Sequence, residues 1–328
     1  MKNFDMAKEF VNRFTYNLPD SPATVQIGLT NKCNLKCGMC GRYNEFFQLD
    51  LSKEMSIDMF KGLLQNIDGE KEIILADWGE PLIHPDIIEM IKYAKSKSHK
   101  VSLTSNGMAL DAMMQKDIIA SGLDHIAFSV DSVKGNPLAH LNQPALKNIK
   151  SFMKIKLGGN PDVTLQTTIH KHREQDIFDI LDFAKDAGIN KVNLLRLDVG
   201  FNKQLERPNA EEERRLFSEV EKRAKGLGVT VNFLPIAVFD GLARRMYRRF
   251  KKIMYRFGRY CHVTYNQCYV NVDGFVTPCC TIPFHVVGDL KKERLDDIWK
   301  NEKFGEFRKD SKRICSMCEM NTMFEYKE

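Results

Sequence analysis

Cys33, Cys37 and Cys40 place three thiols within eight residues, with three and then two residues between them. One short loop can turn all three sulfurs toward a common centre. Three thiolates complete neither a tetrahedral zinc site nor a fully ligated iron–sulfur cubane. On a [4Fe–4S] cluster they would leave one iron without a protein ligand, open to a small molecule. The spacing also admits a structural zinc knuckle with a distant fourth ligand, or ordinary buried thiols, since CxxC pairs most often bind zinc. A disulfide framework fits less well. The N-terminus, Met1-Lys-Asn-Phe-Asp-Met-Ala-Lys8, has no apolar signal core, and no stretch nears the roughly 20 apolar residues of a membrane span. The expected location is the cytoplasm, where thiols stay reduced and cysteine clusters bind metal.

Six more cysteines fall in the last quarter: Cys261, Cys268, Cys279, Cys280, Cys315 and Cys318. From Cys268 to Cys280 the chain alternates, breaks at Asp273-Gly274 and alternates again, which signals a β-hairpin. Cys315-Ser-Met-Cys318 is a CxxC pair near the end. Four thiolates drawn from two separate segments suit either zinc or a fully ligated [4Fe–4S] cluster, and spacing does not separate those metals.

The elements that must position these groups follow from periodicity. At 328 residues and 43% hydrophobic content the chain exceeds one typical domain and can bury a sizeable core. Strand-like runs cover Thr24–Leu29, Glu72–Ala76, Lys100–Leu103, His125–Ser129, Asp162–Ile169 and Lys191–Leu195, with helical patterns between them. Six strand–helix units in a row argue for a parallel sheet curled into a partial barrel. Polar residues gather where these strands end: Asp77 to Glu80, Thr104 to Asn106, Ser129 with Asp131 and Ser132, Thr168 with His170, and Arg196 with Asp198. Parallel α/β barrels build their sites on that rim. With the cysteine loop after the first strand, six such strand ends in succession mark a site.

A net charge of +6 is a mild tilt, unevenly spread. Between Gly241 and Tyr260 stand Arg244, Arg245, Arg248, Arg249, Lys251, Lys252, Arg256 and Arg259, with no acid. At helical spacing they share one side, opposite Leu242, Met246, Phe250, Ile253, Met254 and Phe257. A bridging helix with a solvated basic side is one reading. The other is an anion-facing helix that meets a phosphate-bearing substrate or a membrane surface. Aromatics on the apolar rather than the basic side argue against nucleic acid.

The cysteine loop resembles that of the radical S-adenosylmethionine (SAM) enzymes, which carry CxxxCxxC. In that superfamily the amino and carboxylate groups of SAM chelate the open iron. The reduced cluster then cleaves SAM to a 5′-deoxyadenosyl radical that abstracts hydrogen from a substrate. Trp78-Gly79-Glu80-Pro81 resembles the GGE motif, whose backbone and carboxylate hold the SAM ammonium, with Trp78 in place of the first glycine. Thr104-Ser105-Asn106-Gly107 is similar to a TNG turn found after the third strand. The likeness places Ser129 and Asp131 at the ribose hydroxyls and Met39 where the backbone contacts the adenine. One departure is the arginine that many relatives carry after the fourth strand, on the SAM carboxylate: His140-Leu-Asn142-Gln143-Pro144 has none, and Arg196 and Asn142 are the stand-ins considered. Cys261, Gly274 and Cys279 resemble the opening of a SPASM domain. With only ten residues after Cys318, the shortened twitch form is implied, with one auxiliary [4Fe–4S] cluster held by Cys261, Cys279, Cys315 and Cys318. Cys268 and Cys280 are then spare.

The resemblance, over nearly all of residues 24–320, implies an α/β fold: a partial (β/α)6 radical SAM barrel with a small C-terminal twitch/SPASM-like auxiliary-cluster domain. Its expected divisions are an N-terminal helical extension (1–22), the barrel (23–235), the basic linker helix (236–260) and the auxiliary domain (261–328). The expected reaction is net oxidation of a sugar-like or other anionic small molecule, with the auxiliary cluster as electron acceptor and an external one-electron reductant of the flavodoxin or ferredoxin type. The alternatives are peptide maturation, radical epimerisation with Cys268 or Cys280 as hydrogen donor, and a non-catalytic metal-binding or electron-transfer protein. Against peptide maturation, only about twenty residues precede the first strand, too few for the leader-binding domain of many peptide-modifying relatives.

Overall fold

Alternation of apolar and polar residues along each strand gives the sheet two unlike faces. The computed structural model describes residues 18–43, 49–135, 143–156, 158–197, 205–234, 261, 263–315 and 318. Parallel strands alternate with helices: β1 (Thr24–Ile27), α1 (Ile57–Gln65), β2 (Glu72–Leu75), α2 (Ile87–Ser96), β3 (Lys100–Ser105), α3 (Ala112–Ala120) and β4 (His125–Ser129). The series continues with α4 (Gln143–Ile155), β5 (Asp162–Ile169), α5 (Glu174–Ala187), β6 (Lys191–Arg196), α6 (Ala210–Leu227) and β7 (Thr230–Leu234). A C-terminal group follows, of β8 (Gln267–Val270), β9 (Phe275–Thr277), β10 (Gly288–Asp289), α7 (Leu295–Lys300) and α8 (Glu302–Ile314).

One face is the core. Val25 and Ile27, Val101 and Leu103, Ile126 and Phe128, Val163 and Leu165, and Val192 and Leu194 are buried. Against them pack Phe60, Leu63 and Leu64 of α1, Met90 and Ile91 of α2, and Ile177, Ile180 and Leu181 of α5. The intervening residues make the other face polar, and cross-strand hydrogen bonds knit it. Gln26 donates to the Ala76 carbonyl at 2.8 Å, His125 Nε2 lies 2.9 Å from Thr164 Oγ1, and Asn232 donates to Asn193 at 3.0 Å. A sheet with helices on one side and satisfied polar groups on the other has a surface suited to a polar ligand.

Two features extend the sequence-based picture. β7 is a seventh parallel strand, paired with β6 from Lys191↔Thr230 to Leu195↔Leu234. Its five residues are too short a run to stand out behind α6, which opens on a capping box between Asn209 and Glu212. The expected hairpin forms as β8 and β9, and it joins the barrel's own sheet. The strand order is β10-β9-β8-β1-β2-β3-β4-β5-β6-β7. β8 runs parallel to β1, with Thr24↔Gln267 through Ile27↔Val270 in register. The basic segment 241–260, His140, Asn142 and Asp198 lie outside the described residues. Among the described residues no helix is long and apolar enough to cross a membrane.

The seam between β1 and β8 depends on a glycine. A Cβ at Gly28 would sit 2.2 Å from Asp77 Oδ2 and 2.8 Å from the Tyr269 hydroxyl. The space that a side chain would take is filled by the hydrogen bond from Tyr269 to Asp77. Gly28→Ala should therefore destabilise the protein by about 1–3 kcal/mol, as overpacking does. Gly62→Ala, in α1 with open space around it, should stabilise by roughly 0.5–1 kcal/mol through helix propensity. Thermal melts of the two variants decide this; equal effects would mean that the seam is loosely packed.

Candidate functional site

β1 runs directly into the cysteine loop. Cys40 N–H donates to the Cys37 carbonyl at 3.1 Å, which closes the turn over the last two thiols. Burial, then the Asp131 carboxylate, then Cys40 and Cys33 push the Cys37 thiol up to about 12. Burial also raises Cys40. Cys37, buried beside a carboxylate and two further thiols, resists ionisation unless something positive stands beside it. A multi-iron centre is such a group, and its binding would release the thiol protons. Among the described residues no three His, Cys, Asp or Glu side chains converge as a single-ion site.

The loop after β2 locks against this one. A Cβ at Gly79 would fall 2.0 Å from the Thr30 carbonyl oxygen and 2.5 Å from that of Lys32, so only glycine fits. The next residue, Glu80, donates its N–H to the same Lys32 carbonyl at 2.8 Å. Its carboxylate is 3% exposed and accepts three hydrogen bonds: from Ser105 Oγ at 2.7 Å, Asn106 N–H at 2.7 Å and Leu82 N–H at 3.0 Å. Glu80 thus caps the short 3-10 turn Pro81–Ile83 and braces the turn after β3. Asn106 reaches on to Asn34 in the cysteine loop at 2.8 Å. Burial raises the Glu80 pKa against these donors. A carboxylate has about four acceptor positions, so one stays open to a further donor.

On the other side of the rim, Asp131 accepts from Thr168 N–H at 2.7 Å and from Thr167 Oγ1 at 3.4 Å. Burial raises its pKa as well. Ser129 lies half-buried two residues earlier on β4. Met39 Sδ sits 3.1 Å from His170 Nε2, and His170 Nδ1 is buried without a partner. Burial, and then Arg173, depress His170 to about 4. Arg196, considered as a SAM carboxylate ligand, is instead engaged with Glu213 of α6, a side chain 0% exposed.

The second thiol group assembles across the C-terminal region. Cys315 ends α8 and accepts the Cys318 N–H at 2.9 Å. Burial, then Cys261, Cys318 and Cys279, push its thiol up to about 12. The three cysteines expected to act with it are thus near enough to oppose the ionisation of Cys315. Cys279 Sγ lies 3.2 Å from Thr281 Oγ1. The Cys280 thiol hydrogen-bonds Cys279, which makes Cys279 the more acidic of the two and holds Cys280 protonated. Cys268 is fully buried on the core face of β8, away from both groups. The first departure from the motif has a contact of its own: the Trp78 indole N–H donates to the Cys280 carbonyl at 3.3 Å. One residue earlier, Asp77 takes the Tyr269 hydroxyl hydrogen bond, and burial raises its carboxyl to about 7.

A family model described as the radical SAM superfamily matches residues 27–207. The chain belongs to the radical SAM superfamily. A second model, SPASM, described as an iron–sulfur cluster-binding domain, matches residues 261–319. These matches bring the cofactors that the cysteines pointed to, namely SAM, an iron–sulfur cluster and a further cluster in the C-terminal region. This radical SAM protein is 24% identical over 313 residues to the PqqA peptide cyclase of Xanthomonas campestris pv. campestris, covering 90% of this chain and 79% of that protein. It is 26% identical over 181 residues to the Fe-coproporphyrin III synthase of Methanosarcina barkeri, covering 53% of this chain and 43% of that protein. The chain therefore spans less than half the length of the second relative. Among solved structures, Streptococcus suis SuiB bound to its precursor peptide SuiA superposes with a TM-score of 0.68 at 16% identity, covering 93% of this chain and 70% of that one. SuiB bound to SAM gives 0.69 at 16% identity, covering 94% and 72%. The likeness to SuiB is one of fold.

Sequence reasoning missed the His170–Met39 contact, the Asp77–Tyr269 pair and Arg42, whose only signal was its place two residues after Cys40. His170 yields a pH prediction. Unfolded, it titrates near 6.5; folded, near 4. Between those values the unfolded chain binds a proton that the folded chain refuses, so stability falls as pH drops from about 6.5 toward 4. His170→Gln should flatten that limb of the melting temperature against pH. An unchanged slope would show that His170 protonates freely in the folded protein.

Proposed function

We propose that this radical SAM enzyme modifies a peptide, abstracting hydrogen from one of its carbons on the polar face of the sheet. The observation that carries this reading is the joining of two thiol groups through one sheet and one contact, Trp78 to Cys280. Cys33, Cys37 and Cys40 hold the SAM-binding cluster, and Cys261, Cys279, Cys315 and Cys318 the auxiliary one. When bound, these groups and SAM supply a carbon-centred radical at the substrate and a second site for one-electron transfer. The protein's own side chains bind and orient. Gly79 lets the loop after β2 close on the Thr30 and Lys32 carbonyls, and the open acceptor position on Glu80 suits the SAM ammonium group. Ser129 and Asp131 suit the ribose hydroxyls, and the Met39 backbone suits the adenine. A flavodoxin or ferredoxin is the fitting reductant.

The peptide substrate draws its support from relatives that align along most of the chain, among them peptide cyclases. The expected sugar-like alcohol has less behind it. Epimerisation would need a thiol near the substrate. Cys280, beside Trp78, is better placed for that than Cys268 in the core.

Two measurements test the reading. Alanine at Cys33, Cys37 or Cys40 should remove one cluster's worth of iron and abolish 5′-deoxyadenosine formation. Alanine at Cys315 or Cys318 should remove the other cluster's iron and leave SAM cleavage measurable. Co-expression with each short open reading frame beside the gene should yield a peptide altered in mass by loss of hydrogen, read by mass spectrometry. If every such peptide returns unchanged while polyols or sugars raise 5′-deoxyadenosine above background, the small-molecule reading replaces this one.

A further inference from the structure

Arg42 is the most unusual charge among the described residues. It lies in the 3-10 turn Gly41–Tyr43, two residues beyond Cys40, and is only 6% exposed. One of its nitrogens, Nη2, donates to the Asn31 carbonyl at 2.5 Å. Its Nε and Nη1 are buried with no hydrogen-bond partner. The guanidinium lies 5.0 Å from the Tyr43 ring centroid, and no carboxylate pairs with it among the described residues. Arginine keeps its proton even in such a place. A permanent buried charge with two idle donors calls for an anion.

The chemistry of the loop names that anion. Three thiolates on a [4Fe–4S] core leave a net negative charge, which grows by one unit when the cluster takes an electron. The turn Gly41–Tyr43 sets Arg42 two residues beyond Cys40, and its hydrogen bond to the Asn31 carbonyl, two residues before Cys33, fixes the guanidinium beside the cysteine loop. The sequence reading gave this arginine no role, and the superfamily pattern of three cysteines does not include it.

We propose that Arg42 is the buried counter-charge of the SAM-binding cluster, a positioning residue that favours the reduced form of that cluster. The proposal rests on Cys33, Cys37 and Cys40 being its ligands. The electron comes from the external reductant, and Arg42 changes only how readily it is accepted. A cation beside a group that gains negative charge stabilises the product, so removing it makes reduction harder.

The test uses full-length protein with both clusters reconstituted anaerobically, as wild type, Arg42→Met, Arg42→Gln and Arg42→Lys. Iron content, the midpoint potential of the SAM-binding cluster by EPR titration, and the SAM dissociation constant are read on each. Both neutral variants should keep their iron and bind SAM as wild type does. At fixed poise their ratio of reduced to oxidised cluster should fall about tenfold, equivalent to about 59 mV for one electron. Arg42→Lys should stay near wild type. An unchanged potential in the neutral variants overturns the proposal. So does a loss of SAM affinity at constant potential, which would assign the idle donors to the SAM carboxylate. If Arg42→Lys itself loses iron, the loop needs the shape of the guanidinium rather than its charge, and the proposal fails. Iron retained at the SAM-binding site in Cys40→Ala would instead overturn the ligand assignment, a separate outcome.

Discussion

The pairing of β8 with β1 is the constraint on which the rest of the site depends. β1 delivers the first cysteine group, and β8 opens the hairpin that delivers Cys279 and Cys280. Because these strands are hydrogen-bonded in register over four residues, the two thiol groups grow from adjacent strands of one sheet. A flexible tether would leave their separation to chance. Here it is set by backbone geometry, and Gly28 keeps the seam narrow by yielding its side-chain space to Tyr269 and Asp77.

The loops above that seam are tied to one another by buried polar groups rather than by apolar packing. Glu80 gathers donors from the turns after β2 and β3, while its backbone and that of Gly79 press against the cysteine loop. Asn106 then closes the circuit to Asn34. Buried hydrogen bonds of this kind are directional and costly to leave unmade, so they fix position more sharply than contact area does. Trp78 extends the same network to the auxiliary loop through the Cys280 carbonyl. A glycine at that place, as in the usual motif, could not make that bond. The tryptophan that departs from the motif is, in the structure, a link between the loop after β2 and the loop of Cys279 and Cys280.

Much of this was legible in the sequence because it is local. Alternation gave the strands, and the observed β1 to β6 overlap the expected runs closely. Cysteine spacing gave two groups, and polar strand ends gave the rim. What was not legible depends on partners far apart in the chain. Nothing near Gln267 announces that it pairs with Thr24, so the hairpin read as part of a separate domain rather than as an extension of the sheet. Glu80 read as a SAM ligand; its three donors come from Leu82, Ser105 and Asn106, and two of those lie a strand away. Arg42 is invisible as a motif, since burial with two idle donors is a property of the folded state. The expected sugar-like substrate rested on the likeness to a shortened, single-cluster auxiliary domain, and only the argument against a peptide rested on the residues ahead of β1. Full-length relatives weigh more than that argument.

The central claim is that the auxiliary hairpin and the barrel edge form one rigid unit. Native-state hydrogen exchange on the reconstituted protein tests it most directly, because exchange reports the free energy of local opening. If the claim holds, the amides of Cys268–Val270 and Val25–Gly28 exchange together, at the slow rate of the global unfolding. If the β8–β9 amides exchange orders of magnitude faster than those of β1 and β2, the hairpin opens by itself and the account is contradicted.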